Sequence, residues 1–65
     1  AVRVELYDVS GARVRTLHAG LMEAGARIVE WDGRTDSGRR AAAGAYLVRV
    51  RYEGKALDGK VILLR

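Results

Sequence analysis

Between Glu30 and Val50 the chain reads EWDGRTDSGRRAAAGAYLVRV. Two acids, Asp32 and Asp36, stand among Gly33, Gly38 and Gly44 and the pair Arg39-Arg40. Such residues could hold a cation, cradle a phosphate or do acid–base work. A calcium loop of the EF-hand type needs oxygen ligands at its first, third and fifth positions, then Gly, and Glu at the twelfth. Counted from Asp32, the third position is Arg34 and the twelfth is Ala43. A guanidinium repels a cation, so the calcium reading fails. Gly33 to Gly38 has the GxxxxG spacing of a phosphate loop. Arg39 and Arg40 then stand where Lys and Ser or Thr belong, and Gly44 cuts short the helix that should face the phosphate. Ser10 and Ser37 lie in turn sequence, and His18 is the single histidine. A lone histidine at a strand end reads as a solvated residue rather than a catalytic base. Asp32 and Asp36 share one loop, so they read as turn caps through side-chain hydrogen bonds rather than as an acid–base pair. The residues therefore predict no catalytic group, no metal, no cofactor and no small-molecule substrate, and the chain is read as a non-enzyme.

A chain of 65 residues is one domain at most, spanning residues 1–65. A domain of this size buries only about 60% of the surface its unfolded chain exposes. Ordering it costs roughly 1.5 kcal/mol per residue, which apolar burial barely offsets. Cysteine is absent, which removes disulfides and thiolate metal sites. A binding partner is the remaining aid. No stretch approaches the ~18 apolar residues of a transmembrane helix, and no signal peptide is visible. The chain opens on Ala1 rather than Met, which predicts a processed, trimmed or excised polypeptide. Arg outnumbers Lys ten to two, and Asn, Gln, Pro and Phe are missing, a profile that suits a GC-rich genome and heat exposure.

The elements that must position these residues read as strands. Val2, Val4 and Leu6 alternate with Arg3, Glu5 and Tyr7, the period of a half-buried strand. Asp8-Val9-Ser10-Gly11 is a type I turn signature. Arg13 to His18 returns as a second strand, where the three-residue spacing of Val14 and Leu17 predicts a bulge. Ala19 to Gly25 is a connecting loop, and Ala26 to Trp31 is a third strand. Ala45 to Tyr52 is the clearest strand, with Tyr46, Val48, Val50 and Tyr52 on one face and Leu47, Arg49 and Arg51 on the other. Glu53-Gly54-Lys55 turns the chain, and Lys60 to Arg65 is the last strand. About five strands with hairpin-like links predict an all-β, antiparallel sandwich or open sheet.

The net charge of +4 is spread along the chain. Arg13, Arg15, Arg49 and Arg51 sit on strands, and Tyr7 could stack a base, the pattern of a single-stranded nucleic-acid binder. Glu5 and Glu30 are read as pointing outward from strands as well. Cross-strand ion pairs on a solvated face therefore explain the same residues, and nucleic acid is the weaker reading.

Three separated motifs carry a resemblance. Tyr7, Asp8 and Gly11 give Tyr-Asp-x-x-Gly; Trp31, Asp32 and Gly33 give Trp-Asp-Gly; Gly38, Gly44 and Tyr46 give Gly-x-x-x-x-x-Gly-x-Tyr. In this order, over essentially the whole chain, they resemble the immunoglobulin-like β-sandwich of the flagellar hook-capping protein. They are closer still to the C-terminal sorting domains of bacterial type IX secretion cargo. The resemblance implies an extracellular or cell-surface accessory module in which the Trp-Asp-Gly loop is structural. Gly supplies the positive φ of the turn, Asp bonds nearby amides, and Trp31 caps one end of the core.

Members of that family carry further N-terminal strand segments, whereas this chain opens on Val2-Arg3-Val4. A sandwich short by a strand or two would leave an unpaired edge, a template for strand addition. Val61, Ile62, Leu63 and Leu64 are apolar on both faces, the mark of a strand covered on both sides. A central strand with a small outer cover would account for this; so would a second copy or another protein. The expected assembly interface is Val2, Val4, Val61, Ile62, Leu63 and Leu64, with the sandwich completed by a neighbouring subunit. Two functions follow: a self-assembling subunit of a homopolymeric filament or surface layer, or a sorting and anchoring tail recognised by a secretion apparatus or the cell surface.

Overall fold

A computed structural model describes residues 1–21 and 29–64. Its strands are β1 (Val2–Tyr7), β2 (Arg13–Gly20), β3 (Gly44–Tyr52) and β4 (Lys55–Leu63). They form one antiparallel sheet in the order β2-β1-β3-β4. The all-β, antiparallel expectation holds. Among the described residues the strands number four rather than five. Part of the expected third strand, residues 26–28, lies outside the described residues, and Val29, Glu30 and Trp31 are not in a strand.

Both hairpins follow from their turn residues. Gly11 N–H donates to the Asp8 carbonyl at 3.0 Å, and Gly11 takes a φ of 87°. This is the type I turn expected, ended by a glycine in the left-handed region. The Asp8 carboxylate accepts from the N–H groups of Ser10 and Ala12 and from the Ser10 hydroxyl. Glu53 and Gly54 have φ of 49° and 73°, so β3 and β4 join through a two-residue type I′ turn. The last strand starts at Lys55, five residues before the expected Lys60, because that tight turn lets pairing begin at once. It runs unbroken from Tyr52↔Lys55 to Gly44↔Leu63.

The bulge expected in β2 is present twice. Pairing with β1 shifts between Val4 and Glu5 and again between Leu6 and Tyr7, skipping Leu17 and Val14. The two skipped residues are the ones that pack against the core. Each bulge re-aims an apolar side chain that strict alternation would have turned elsewhere.

The core lies on one face of the sheet. Leu6 is 1% exposed and clusters with Tyr46 and Ala41, flanked by Val48, Val61 and Leu63. The connection before β3 covers part of this face. Trp31 meets Tyr46 edge-to-face, with ring centroids 5.1 Å apart and planes at 73°, so Trp31 caps the core as expected. Tyr46 in turn donates its hydroxyl to the Ala42 carbonyl. Beside Trp31 and Val29, an apolar groove of about 550 Å³ runs over Val48, Val50 and Val61.

Candidate assembly surface

The loop of residues 31–40, which carries Asp32 and Asp36, is a clasp on β2. The Asp32 carboxylate accepts from its own loop at Arg34 N–H (3.0 Å) and from the Arg15 guanidinium (3.1 Å). The Trp31 indole N–H and Arg15 both donate to the Arg34 carbonyl. Asp36 donates its N–H to the Val14 carbonyl at 3.0 Å and accepts the Thr16 N–H on Oδ1 at 3.0 Å. It therefore behaves as a one-residue strand laid along the outer edge of β2. Gly33 and Gly38 take φ of 78° and 89° and let the loop fold back, with an isolated bridge between Arg34 and Arg40. Asp32 caps a turn as expected; the role of Asp36 differs, because its partners lie about 20 residues away on β2.

The solvent face carries a ladder of charges. Glu5 was expected to point into water, yet it is 4% exposed. Its carboxylate sits between the guanidiniums of Arg13 (3.6 Å) and Arg51 (3.7 Å) and accepts from the Tyr7 hydroxyl at 3.1 Å. β1 is a central strand, so long side chains from both neighbours fold over Glu5 and bury it. Arg49 grips Asp58 through two hydrogen bonds of 2.7 and 3.0 Å and lies 5.8 Å from the centre of the Tyr7 ring. The side-chain hydrogen bond with Arg49 holds the Asp58 carboxyl below its ordinary range, and the same bond raises Arg49. Bonds from Ser10, first its hydroxyl, and from Ala12 hold Asp8 low in the same way. All four arginines that suggested nucleic-acid binding are engaged with acids, Arg15 through Asp32 and Asp36. Tyr7, the expected base stacker, is spent on Glu5 and Arg49.

The expected assembly residues separate. Val2 and Val4 sit on β1, which pairs with β2 on one side and β3 on the other. They border no open edge, and Val4 is buried. The hairpin to β2 and the return of β3 enclose this strand on both sides. Val61 and Leu63 face the core of their own sheet. Ile62 and Leu64, by contrast, are 56% and 83% exposed. Among the described residues β4 pairs only with β3, so it is an edge strand there and not the covered central strand that its apolar run allowed. Leu57, also on β4, is 60% exposed and was missed, because its neighbours Ala56, Asp58 and Gly59 made a turn look as plausible as a strand. Val9 and Leu47 add exposed apolar surface at the end of the sheet where Asp8 turns the chain.

The residues of the three motifs lie in turns, in the clasp and in the core. Tyr7 ends β1, Asp8 and Gly11 make the first turn, and Trp31, Asp32, Gly33 and Gly38 build the clasp. Gly44 opens β3 with a φ of 149°, and Tyr46 is buried beneath Trp31.

The two edges of the sheet are thus unlike. Loop backbone and the Asp36 carboxylate occupy β2 at Val14 and Thr16, whereas β4 has no strand on its outer side among the described residues. Among those residues no group of three or more His, Cys, Asp or Glu could hold a metal, and no helix is long and apolar enough to cross a membrane. A family model described as the FlgD Ig-like domain matches residues 1–56. No curated protein and no solved structure gives a significant match.

Proposed function

The chain belongs to the FlgD Ig-like domain family, and from that membership we propose that it is a non-enzymatic structural module of an extracellular assembly related to the flagellar hook. It joins its neighbours by strand pairing, as a self-assembling subunit of a filament or surface layer. The observation that carries this reading is the edge of β4, unpaired among the described residues, with Ile62 and Leu64 in water, opposite an edge that the Asp36 clasp has closed. Burying two such side chains stabilises a contact by roughly 3–6 kcal/mol, comparable with the whole stability of a small domain. Electron microscopy of the purified chain tests it. Uniform fibres or layers are expected; a monodisperse monomer in solution and on the grid would overturn it.

A second reading keeps the same surface for a different use, as a C-terminal sorting and anchoring domain of a larger secreted protein. The Tyr-Asp-x-x-Gly, Trp-Asp-Gly and Gly-x-x-x-x-x-Gly-x-Tyr motifs favour it. Fusing the chain to a reporter in a type IX-secreting bacterium tests it: export and surface retention support the sorting role, and a reporter left in the periplasm removes it. Nucleic-acid binding is the weakest alternative, because the strand arginines are neutralised in place. Retention on single-stranded DNA at low salt would revive it.

A further inference from the structure

We propose that β4 pairs with β4 of a second copy, antiparallel, in the register that sets Gly59 opposite Gly59. Two four-stranded sheets then continue as one. The inference rests on the assembly reading above and adds the partner, the register and the symmetry.

The direction of the backbone groups comes first. Tyr52 and Lys55 flank the type I′ turn and form the hydrogen-bonded pair that closes it. Hydrogen-bonded and non-hydrogen-bonded pairs alternate along an antiparallel ladder. Leu57, Gly59, Val61 and Leu63 therefore bond to β3. Ala56, Asp58, Lys60 and Ile62 turn their N–H and C=O groups to the open side. An incoming antiparallel strand meets a regular row of donors and acceptors.

Charge then selects the register. Ala56, Asp58, Lys60 and Ile62 share the solvent face, and Leu57, Gly59 and Val61 share the core face. A two-fold axis at Gly59 brings Asp58 opposite the partner's Lys60, and the same pair recurs by symmetry. It also sets Leu57 against the partner's Val61 and Ala56 against the partner's Ile62. The exposed Leu57 and Ile62 each gain an apolar neighbour. Moving the axis to Asp58 places two acids across from one another, and moving it to Lys60 places two cations there. An axis at Val61 leaves Asp58 facing the partner's Leu64. Like charges directly opposite on a sheet oppose pairing, and unlike charges favour it. Asp58 enters this contact already oriented by Arg49, with 44% of its side chain still exposed to take a second cation.

The alternative of β4 adding to β2 of another copy meets the clasp, where Asp36 already holds the outward groups of Val14 and Thr16. A two-fold contact closes on itself. Growth beyond a pair would need a second surface, and the exposed Val9 and Leu47 lie on a different part of the sheet.

Light scattering on the purified chain over a concentration series tests the proposal. The mass should rise from the 7.1 kDa of the single chain to twice that value first, ahead of any growth into longer assemblies through a second surface. Lys60→Asp puts two acids opposite each other and should hold the mass at one chain. Asp58→Lys puts two cations there and should do the same. An equal mixture of the two variants should recover the doubled mass as a mixed pair. Because Asp58→Lys also gives up the Arg49 bond, Lys60→Pro serves as a control on folding. It removes one outward N–H and leaves the β3–β4 ladder intact, so its circular dichroism should stay native while its mass stays single. A doubled mass that persists in Lys60→Asp and Lys60→Pro would sink the β4 register while leaving self-assembly standing. A wild-type chain that remains single at every concentration would remove both.

Discussion

Thr16 donates its backbone N–H to the carboxylate of Asp36 at 3.0 Å, across about 20 residues of sequence. With the Asp36 N–H on the Val14 carbonyl, this pair closes one edge of the sheet and fixes the loop over the core. Asp36→Ala should therefore cost about 1 kcal/mol, the worth of a hydrogen bond to a charged acceptor at an exposed site. Amide exchange at Thr16 should accelerate more than exchange at β3. Uniform exchange across both strands would show that the clasp does not protect β2.

Glu5 is a buried carboxylate held by two half-exposed arginines and a tyrosine. Glu5→Ala should destabilise the fold by about 1–3 kcal/mol, because the Tyr7 hydroxyl loses its acceptor, Arg51 loses its partner and Arg13 keeps only Asp36 among the described residues. Glu5→Gln keeps an acceptor for Tyr7 and should recover part of the loss. Urea denaturation of the three proteins checks the order.

Trp31 ties the loop to the core through its ring and through its indole N–H. Trp31→Phe should cost about 1 kcal/mol, since it keeps an aromatic face and loses the bond to Arg34. Trp31→Ala should cost about 3 kcal/mol or more, a large share of the stability of so small a domain. Thermal melts followed by circular dichroism separate the two.

Acid should weaken the fold through Asp8 and Asp58, whose carboxyls are both held below their ordinary range. A folded pKa below the unfolded one contributes stability that is present above the unfolded value, about pH 4, and is lost as pH falls through the folded value. The melting temperature should thus decline below about pH 4. Both groups are exposed, so the decline should be shallow, and it should flatten further in Asp58→Asn. An unchanged slope in that variant would show that the Arg49 pair contributes no stability.

Gly54 takes a φ of 73° in a two-residue turn with open space where a side chain would sit. Gly54→Ala should cost about 1 kcal/mol from backbone strain alone. A larger loss in equilibrium unfolding would point to a contact that the fold does not show.

How much of this was legible follows residue by residue. Val2 to Tyr7 and Ala45 to Tyr52 could be read as strands because alternation is a local property, and the side chains of β3 divide between the two faces as that alternation requires. The two turns were legible because Asp8, Gly11 and Gly54 are demanded by local backbone geometry. Even the irregularity of β2 showed in the spacing of Val14 and Leu17. The start of β4 was not legible, since Asp58 and Gly59 weaken its pattern and only pairing with β3 holds them extended.

Strand order could not be read, because alternation says which way a side chain points and nothing about which strand lies beside it. Only the tertiary arrangement put β1 in the middle of the sheet and β4 at its edge. That one decision buried Glu5, set Val2 and Val4 between two neighbouring strands and left Ile62 and Leu64 in water. Local sequence sets the periodicity and the turns of this chain; neighbours distant in sequence decide which of its faces and edges reach solvent, because burial depends on what the rest of the polypeptide brings alongside.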